Sequence, residues 1–185
     1  MPLIVRPETR ADFPAIRALT AAAFRGVPHS APPMDETSDP GEAALLGWLR
    51  EDPGYLPGLA LVAEDDGNVV GHVMTTRGTL DGGEDRPVPA LGLGPLSVLP
   101  AAQRQGVGTA LLAATVELAT QQAESLIALL GDPGYYGRHG WVAASRHGIA
   151  APDPAWGDYF QVRLLPAYDG ERGTFRYAAP FARFD

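Results

Sequence analysis

Between Leu96 and Leu112 the chain changes character abruptly. An apolar, strand-like run reaches Val98 and Leu99, Pro100 interrupts it, and Gly106 and Gly108 open a stretch rich in Ala, Leu and Val. Proline has no N–H for a ladder hydrogen bond, so the strand must stop there. The helix that follows begins with backbone N–H groups that have no intrahelical partner. Together with the positive end of the helix dipole they form a site for an anion. Glycine at 106 and 108 suits such a site, because a side chain would fill the space a pyrophosphate needs close to the backbone. A strand feeding a helix of this kind belongs to a mixed α/β protein. Taken alone, the pattern is also that of an ordinary loop-to-helix junction. Two common phosphate motifs are excluded: a Walker A loop needs a lysine, which the chain lacks, and Leu111 stands where a dinucleotide fingerprint has its third glycine.

The flanking sequence supplies the rest of the sheet. Residues 3–5 read as a short strand, and Thr9 is placed to cap a helix carrying Phe13, Ile16, Leu19 and Phe24. Residues 26–39, rich in proline and polar side chains, read as a loop at a substrate mouth, with a second helix over about 40–50. Residues 59–63 and 69–76 form a hairpin about the turn Asp65-Asp66-Gly67-Asn68, leaving the acidic run from Glu64 in solvent. Gly82 and Gly83 mark the next turn, and residues 88–98 form a strand in which Gly92, Gly94 and Pro95 point to a bulge. A helix over 106–122 presents Val107, Leu111, Leu112, Val116 and Leu118 to the core. A buried strand at 126–130, a short helix at 132–138, a strand opening at Trp141 and a last strand at 159–164 complete the order βααβββαβαβ with one late extra strand. This order predicts a mixed sheet flanked by helices.

Composition narrows the chemistry. The 185 residues, 45% of them hydrophobic, suit one core and one domain over 1–185. With no cysteine there is no disulfide, thiolate metal site or thiol nucleophile, and His29, His72, His139 and His147 show no paired metal-ligand spacing. The net charge of -8 argues against nucleic acid and anionic membranes as partners and mildly favours a cationic substrate. No long apolar run or leader-like start occurs, which predicts a cytoplasmic protein.

Two motifs resemble one family. Gln103-Arg104-Gln105-Gly106-Val107-Gly108, preceded by Val98-Leu99-Pro100, resembles the Q/R-x-x-G-x-G/A signature of the GNAT superfamily of acetyltransferases. Downstream, the run from Leu130-Gly131-Asp132-Pro133 through Tyr135-Tyr136 to Gly140-Trp141 looks like the Y-x-x-x-G-F element of that superfamily, and more closely like its YhbS-like branch. The resemblance implies a GNAT-like, mostly antiparallel central sheet flanked by helices, with a bulged strand before the cofactor-binding helix. It implies an N-acetyltransferase that carries the acetyl group of acetyl-CoA directly to a primary amine of a small molecule or peptide. A non-catalytic acetyl-CoA-binding sensor is the alternative, and a homodimer is compatible with either. By carry-over, the backbone of Leu96, Ser97 and Val98 meets the pantetheine arm. The turn of Arg104, Gln105, Gly106, Val107, Gly108 and Thr109 carries the pyrophosphate. Tyr136, four residues before the Gly-aromatic pair, protonates the departing thiolate, a suitable match for a phenol of pKa about 10 and a thiol of about 8.5. Tyr135 is the neighbouring alternative, Trp141 a core residue and His139 a surface or half-buried one. The chain also departs from the family. Gly94 and Pro95 stand where many relatives carry a carboxylate base, and Leu129 stands near the usual asparagine, with Asp132 as a local substitute. Asp35, Glu36 and His72 are the candidates for a base acting through water, although each reads first as a solvent-exposed or structural group.

Overall fold

The computed structural model describes residues 3–28, 30–34, 36, 38–82 and 86–184. Strand β1 (Ile4–Pro7) leads through a turn in which the Asp12 carboxylate accepts from the Thr9 N–H at 2.7 Å. Helices α1 (Phe13–Phe24) and α2 (Gly41–Glu51) follow. The long hairpin of β2 (Tyr55–Asp65) and β3 (Asn68–Asp81) turns at Asp66 and Gly67, whose φ values of 47° and 77° suit a tight two-residue connection. Next come β4 (Val88–Val98), α3 (Val107–Gln121), β5 (Leu126–Leu130) and the single-turn α4 (Pro133–Tyr136). Strands β6 (Val142–Ala143), β7 (Ile149–Ala150), β8 (Phe160–Leu164) and β9 (Gly173–Arg176) close the order.

All of these strands join one sheet of order β1-β2-β3-β4-β5-β8-β6, with β9 pairing both β3 and β7. The β4–β5 and β7–β9 pairs are parallel and the others antiparallel, as expected from the order of hairpins and one late crossover. Alternation along β2 separates two cores. Leu59, Leu61 and Ala63 meet Leu111, Leu112 and Ala119 of α3, whereas Ala60 and Val62 meet Ile16, Leu45, Leu46 and Leu49 of α1 and α2. A third core, around Phe160 and Phe175, lies under β8 and β9.

Three features depart from the sequence reading. The hairpin strands extend past 59–63 and 69–76, because β3 is paired along its length by β4 and near its end by β9. Glu64 is not left to solvent: Arg6 donates to its carboxylate at 2.9 Å. Residues 149–150 and 173–176 form β7 and β9, neither marked by the sequence pattern, and Gly83 of the expected turn lies outside the described residues. The expected bulge is present. Pairing of β4 with β3 passes from Thr75↔Leu93 to Val73↔Leu96, so Gly94 and Pro95, joined by a cis peptide, carry an extra residue.

Candidate active site

Strands β4 and β5 are paired only at Leu91↔Ile127 and Gly92↔Ala128. Beyond that point β5 continues along β8 as far as Leu130↔Phe160, while β4 continues along β3 to Gly71↔Val98. The two strands therefore part, and β4 leaves residues 93–98 unpaired on the β5 side. Leu96, Ser97 and Val98 are on this open arm. Leu96 and Val98 pack toward the α3 core, and Ser97 is buried on the opposite face as the cross-strand neighbour of His72.

The arm runs straight into the turn before α3. Gln103 Nε2 donates to the Val98 carbonyl at 3.2 Å and Gln105 Nε2 to that of Ala101 at 2.8 Å. These side chains bind the turn to itself and do not cap the helix. Gly106 is the N-cap and offers no side chain, so the first N–H groups, at Val107, Gly108 and Thr109, have no side-chain cap. Arg104 at φ 62° and Gly106 at φ 86° adopt left-handed backbone. At Gly106 the surrounding space is open, so glycine is required there by conformation. At Gly108 a Cβ would run into the Tyr135 hydroxyl.

The adjacent tyrosines diverge. Asp132 caps α4 by accepting from the Gly134 N–H at 2.8 Å, which gives it a structural task. Tyr135 reaches the start of α3. Tyr136 lies with its ring against Gly131, just past β5, and edge-on to Trp141 at 6.1 Å between centroids. Burial, with a smaller contribution from Tyr135, pushes the Tyr136 phenol above its ordinary pKa and keeps it protonated. Trp141 is buried, as expected of a core residue, and His139 is half-buried.

On the other side of the parting point, Tyr177 lies over Gly92 and Phe181 near Gly94. The sequence reading missed both. The signal was the alternation of Phe175 and Tyr177 after Gly173, a strand of four residues whose partner is far away in sequence.

His72 is not open to substrate. It is fully buried, and its Nε2 donates to Glu8 at 2.9 Å. Arg50 grips the same carboxylate at 2.9 and 2.8 Å, and the Tyr55 hydroxyl donates to it at 2.8 Å. Burial alone would raise the Glu8 pKa, but the hydrogen bonds from Arg50 and His72, with the positive charge of Arg50, overturn that and hold it down to about 2. Burial pushes the His72 imidazole below its ordinary 6.5 despite the neighbouring carboxylate, so this is a neutral histidine in a structural network. Glu36 is exposed in the loop, and Asp35 lies outside the described residues. That loop is fastened to α2 through Ser30 and the Ala31 N–H, which donate to Glu42 at 2.9 and 2.8 Å. Gly41 at the start of α2 is in turn close to Ala31 and Phe184, so the loop shares a sheet face with the segment bearing Phe181. Among the described residues no cluster could hold a metal ion, and no helix is long and apolar enough to cross a membrane.

The family model described as an acetyltransferase (GNAT) domain matches residues 4–144. The uncharacterized N-acetyltransferase YhbS of Escherichia coli K12 is 32% identical, over 98% of this chain and 100% of its own. A second uncharacterized N-acetyltransferase of that strain, YjhQ, is 38% identical over 61% of this chain and 62% of its own. The crystal structure of YhbS from Escherichia coli in complex with CoA has a TM-score of 0.82 at 29% identity, covering 99% of this chain and 93% of that one. A GNAT family acetyltransferase from Brucella melitensis in complex with acetyl-CoA has a TM-score of 0.72 at 31% identity, covering 97% and 98%.

Proposed function

The chain belongs to the GNAT family of acetyltransferases, and from that membership we propose that it transfers the acetyl group of acetyl-CoA directly to a primary amine. The observation that carries this reading is the open arm of β4 leading into an uncapped helix start. An extended, amide-bearing chain fits the unpaired edge at Leu96, Ser97 and Val98, and a pyrophosphate fits the backbone of Arg104, Gln105, Gly106, Val107, Gly108 and Thr109. Open space over Gly106 fits the approach of such a group, whereas the space that glycine leaves at 108 is taken by the Tyr135 hydroxyl.

Acetyl-CoA supplies an acetyl thioester whose leaving group is a thiolate. The chain supplies position and a proton. Backbone donors on the arm and turn fix the thioester end where the strands part, making attack by a bound amine effectively intramolecular. Tyr136, kept neutral by burial, is the proton donor to the thiolate. The acceptor enters from the face bearing α1, α2 and the loop of residues 26–39, whose Pro-rich sequence suits a selectivity element. With Gly94 and Pro95 at the bulge and His72 sealed, the amine reaches the thioester already neutral and gives its surplus proton to water.

The test is thioester consumption with a panel of small amines and peptides, read by release of free thiol. Turnover with at least one amine is expected. Tight acetyl-CoA binding without turnover on any amine would instead favour the sensor reading.

A further inference from the structure

The hydroxyl of Tyr177 is enclosed by the protein and has no hydrogen-bond partner among the described residues. The ring is held by neighbours: Phe175 and Phe181 both lie 4.8 Å from it, centroid to centroid. Burying a hydroxyl without a partner is destabilising, and a phenylalanine would fill the same packing role without that penalty. Position gives the group a use. Tyr177 rests on Gly92, the last residue of β4 paired with β5, where a Cβ would come within 2.7 Å of the ring. Tyr136 rests on Gly131, just past the end of β5. A glycine on each strand thus admits a phenol to the place where the strands part. Burial, and to a lesser extent the neighbouring Tyr136, push the Tyr177 phenol upward, so it is a neutral donor over the working pH range.

We propose that Tyr177 belongs to the transfer site and donates its hydroxyl hydrogen to the carbonyl oxygen of the acyl thioester. This rests on the reading of the β4–β5 opening as the acyl-CoA slot. The choice of atom follows from what a thioester and an amine present there. Sulfur is a weak acceptor, and a donor placed on the amine lone pair would block the attack. The carbonyl oxygen remains, and it gains negative charge as the amine approaches, so the bond strengthens during the reaction. Tyr136 and Tyr177 then divide the work, one serving the sulfur and the other the oxygen.

The test compares wild type and Tyr177→Phe by calorimetric titration with acetyl-CoA and, separately, with free CoA, which lacks the carbonyl. The variant should bind acetyl-CoA about five- to tenfold more weakly, the loss expected for one buried hydrogen bond. Its affinity for CoA should be unchanged. Turnover on an accepted amine should fall by about a hundredfold, and the melting temperature of the free protein should not drop. Equal loss for both ligands, or no loss for either, would overturn the assignment, as would a variant that melts early, because the hydroxyl would then have a structural partner. A wild-type protein that binds neither ligand would instead remove the slot reading, and the role of Tyr177 with it.

Discussion

At the scale of single residues, the two adjacent tyrosines have separable tasks because their rings point to different places. Tyr136 lies at the end of β5 and Tyr135 over Gly108 at the start of α3. Tyr136→Phe retains the ring against Trp141 and removes only the acid, so turnover should fall by about two to four orders of magnitude. Acetyl-CoA affinity should hardly change. Tyr135→Phe should leave turnover at saturation nearly intact and act, if at all, on cofactor affinity; steady-state kinetics of the two variants side by side would distinguish them, and the reverse pattern would exchange their roles. The two glycines of the turn differ in the same way. Gly106→Ala forces a side chain into φ 86° and should lower stability by about 1–2 kcal/mol. Gly108→Val keeps ordinary helical backbone but drives into the Tyr135 hydroxyl, so its effect should appear in acetyl-CoA affinity by calorimetry, with the circular dichroism spectrum preserved.

At the scale of elements, α2 is fastened to the sheet through one carboxylate. Glu8 takes hydrogen bonds from Arg50 on α2, Tyr55 on β2 and His72 on β3. Arg50→Met would leave that buried carboxylate short of its counter-charge and should cost about 3–5 kcal/mol. The network also sets a pH dependence. Both groups hold protons less readily folded than unfolded, so protonation favours unfolding. The melting temperature should decline first as pH falls below 6.5, where the unfolded chain protonates His72, and again between 4.5 and about 2 through Glu8. His72→Gln, which keeps a donor for Glu8, should abolish the first decline and leave the second; an unchanged profile by scanning calorimetry would mean that His72 does not titrate with unfolding. None of this could be read from the sequence, since Glu8 and His72 stand 64 residues apart and are joined only by strand pairing. The turn before α3 and the bulge at Gly94 and Pro95 were legible for the opposite reason. Proline, glycine and helical periodicity act over a few neighbouring residues, so their consequences are written locally.

At the scale of the whole molecule, the last stretch of chain holds two cores and the candidate site together. Strand β9 pairs with β3 from Asp81↔Thr174 to Thr79↔Arg176, and Arg176 adds an ion pair to Asp81 at 3.0 Å. Phe175 is fully buried in the core under β8, Ala178 and Phe181 belong to the core of α1 and α2, and Arg183 stacks over Trp48 of α2 at 4.2 Å. The matched family region ends at residue 144, well before this segment, yet Tyr177 lies where β4 and β5 part. Removing residues 171–185 would therefore strip an edge from β3 and empty space beside Phe160 and Ile16 at once. A buried phenylalanine lost to a cavity costs about 3–5 kcal/mol by itself, a large share of the 5–15 kcal/mol that typically separates folded from unfolded chains. The truncated chain should show no cooperative melting transition. Phe175→Ala should melt cooperatively but lower stability by about 3–5 kcal/mol in urea titration, while Phe181→Ala, at a half-buried position, should cost less. A truncated chain that melts as sharply as the full one would show that the core of α1, α2 and the sheet stands without its last segment, and that the segment serves the site alone.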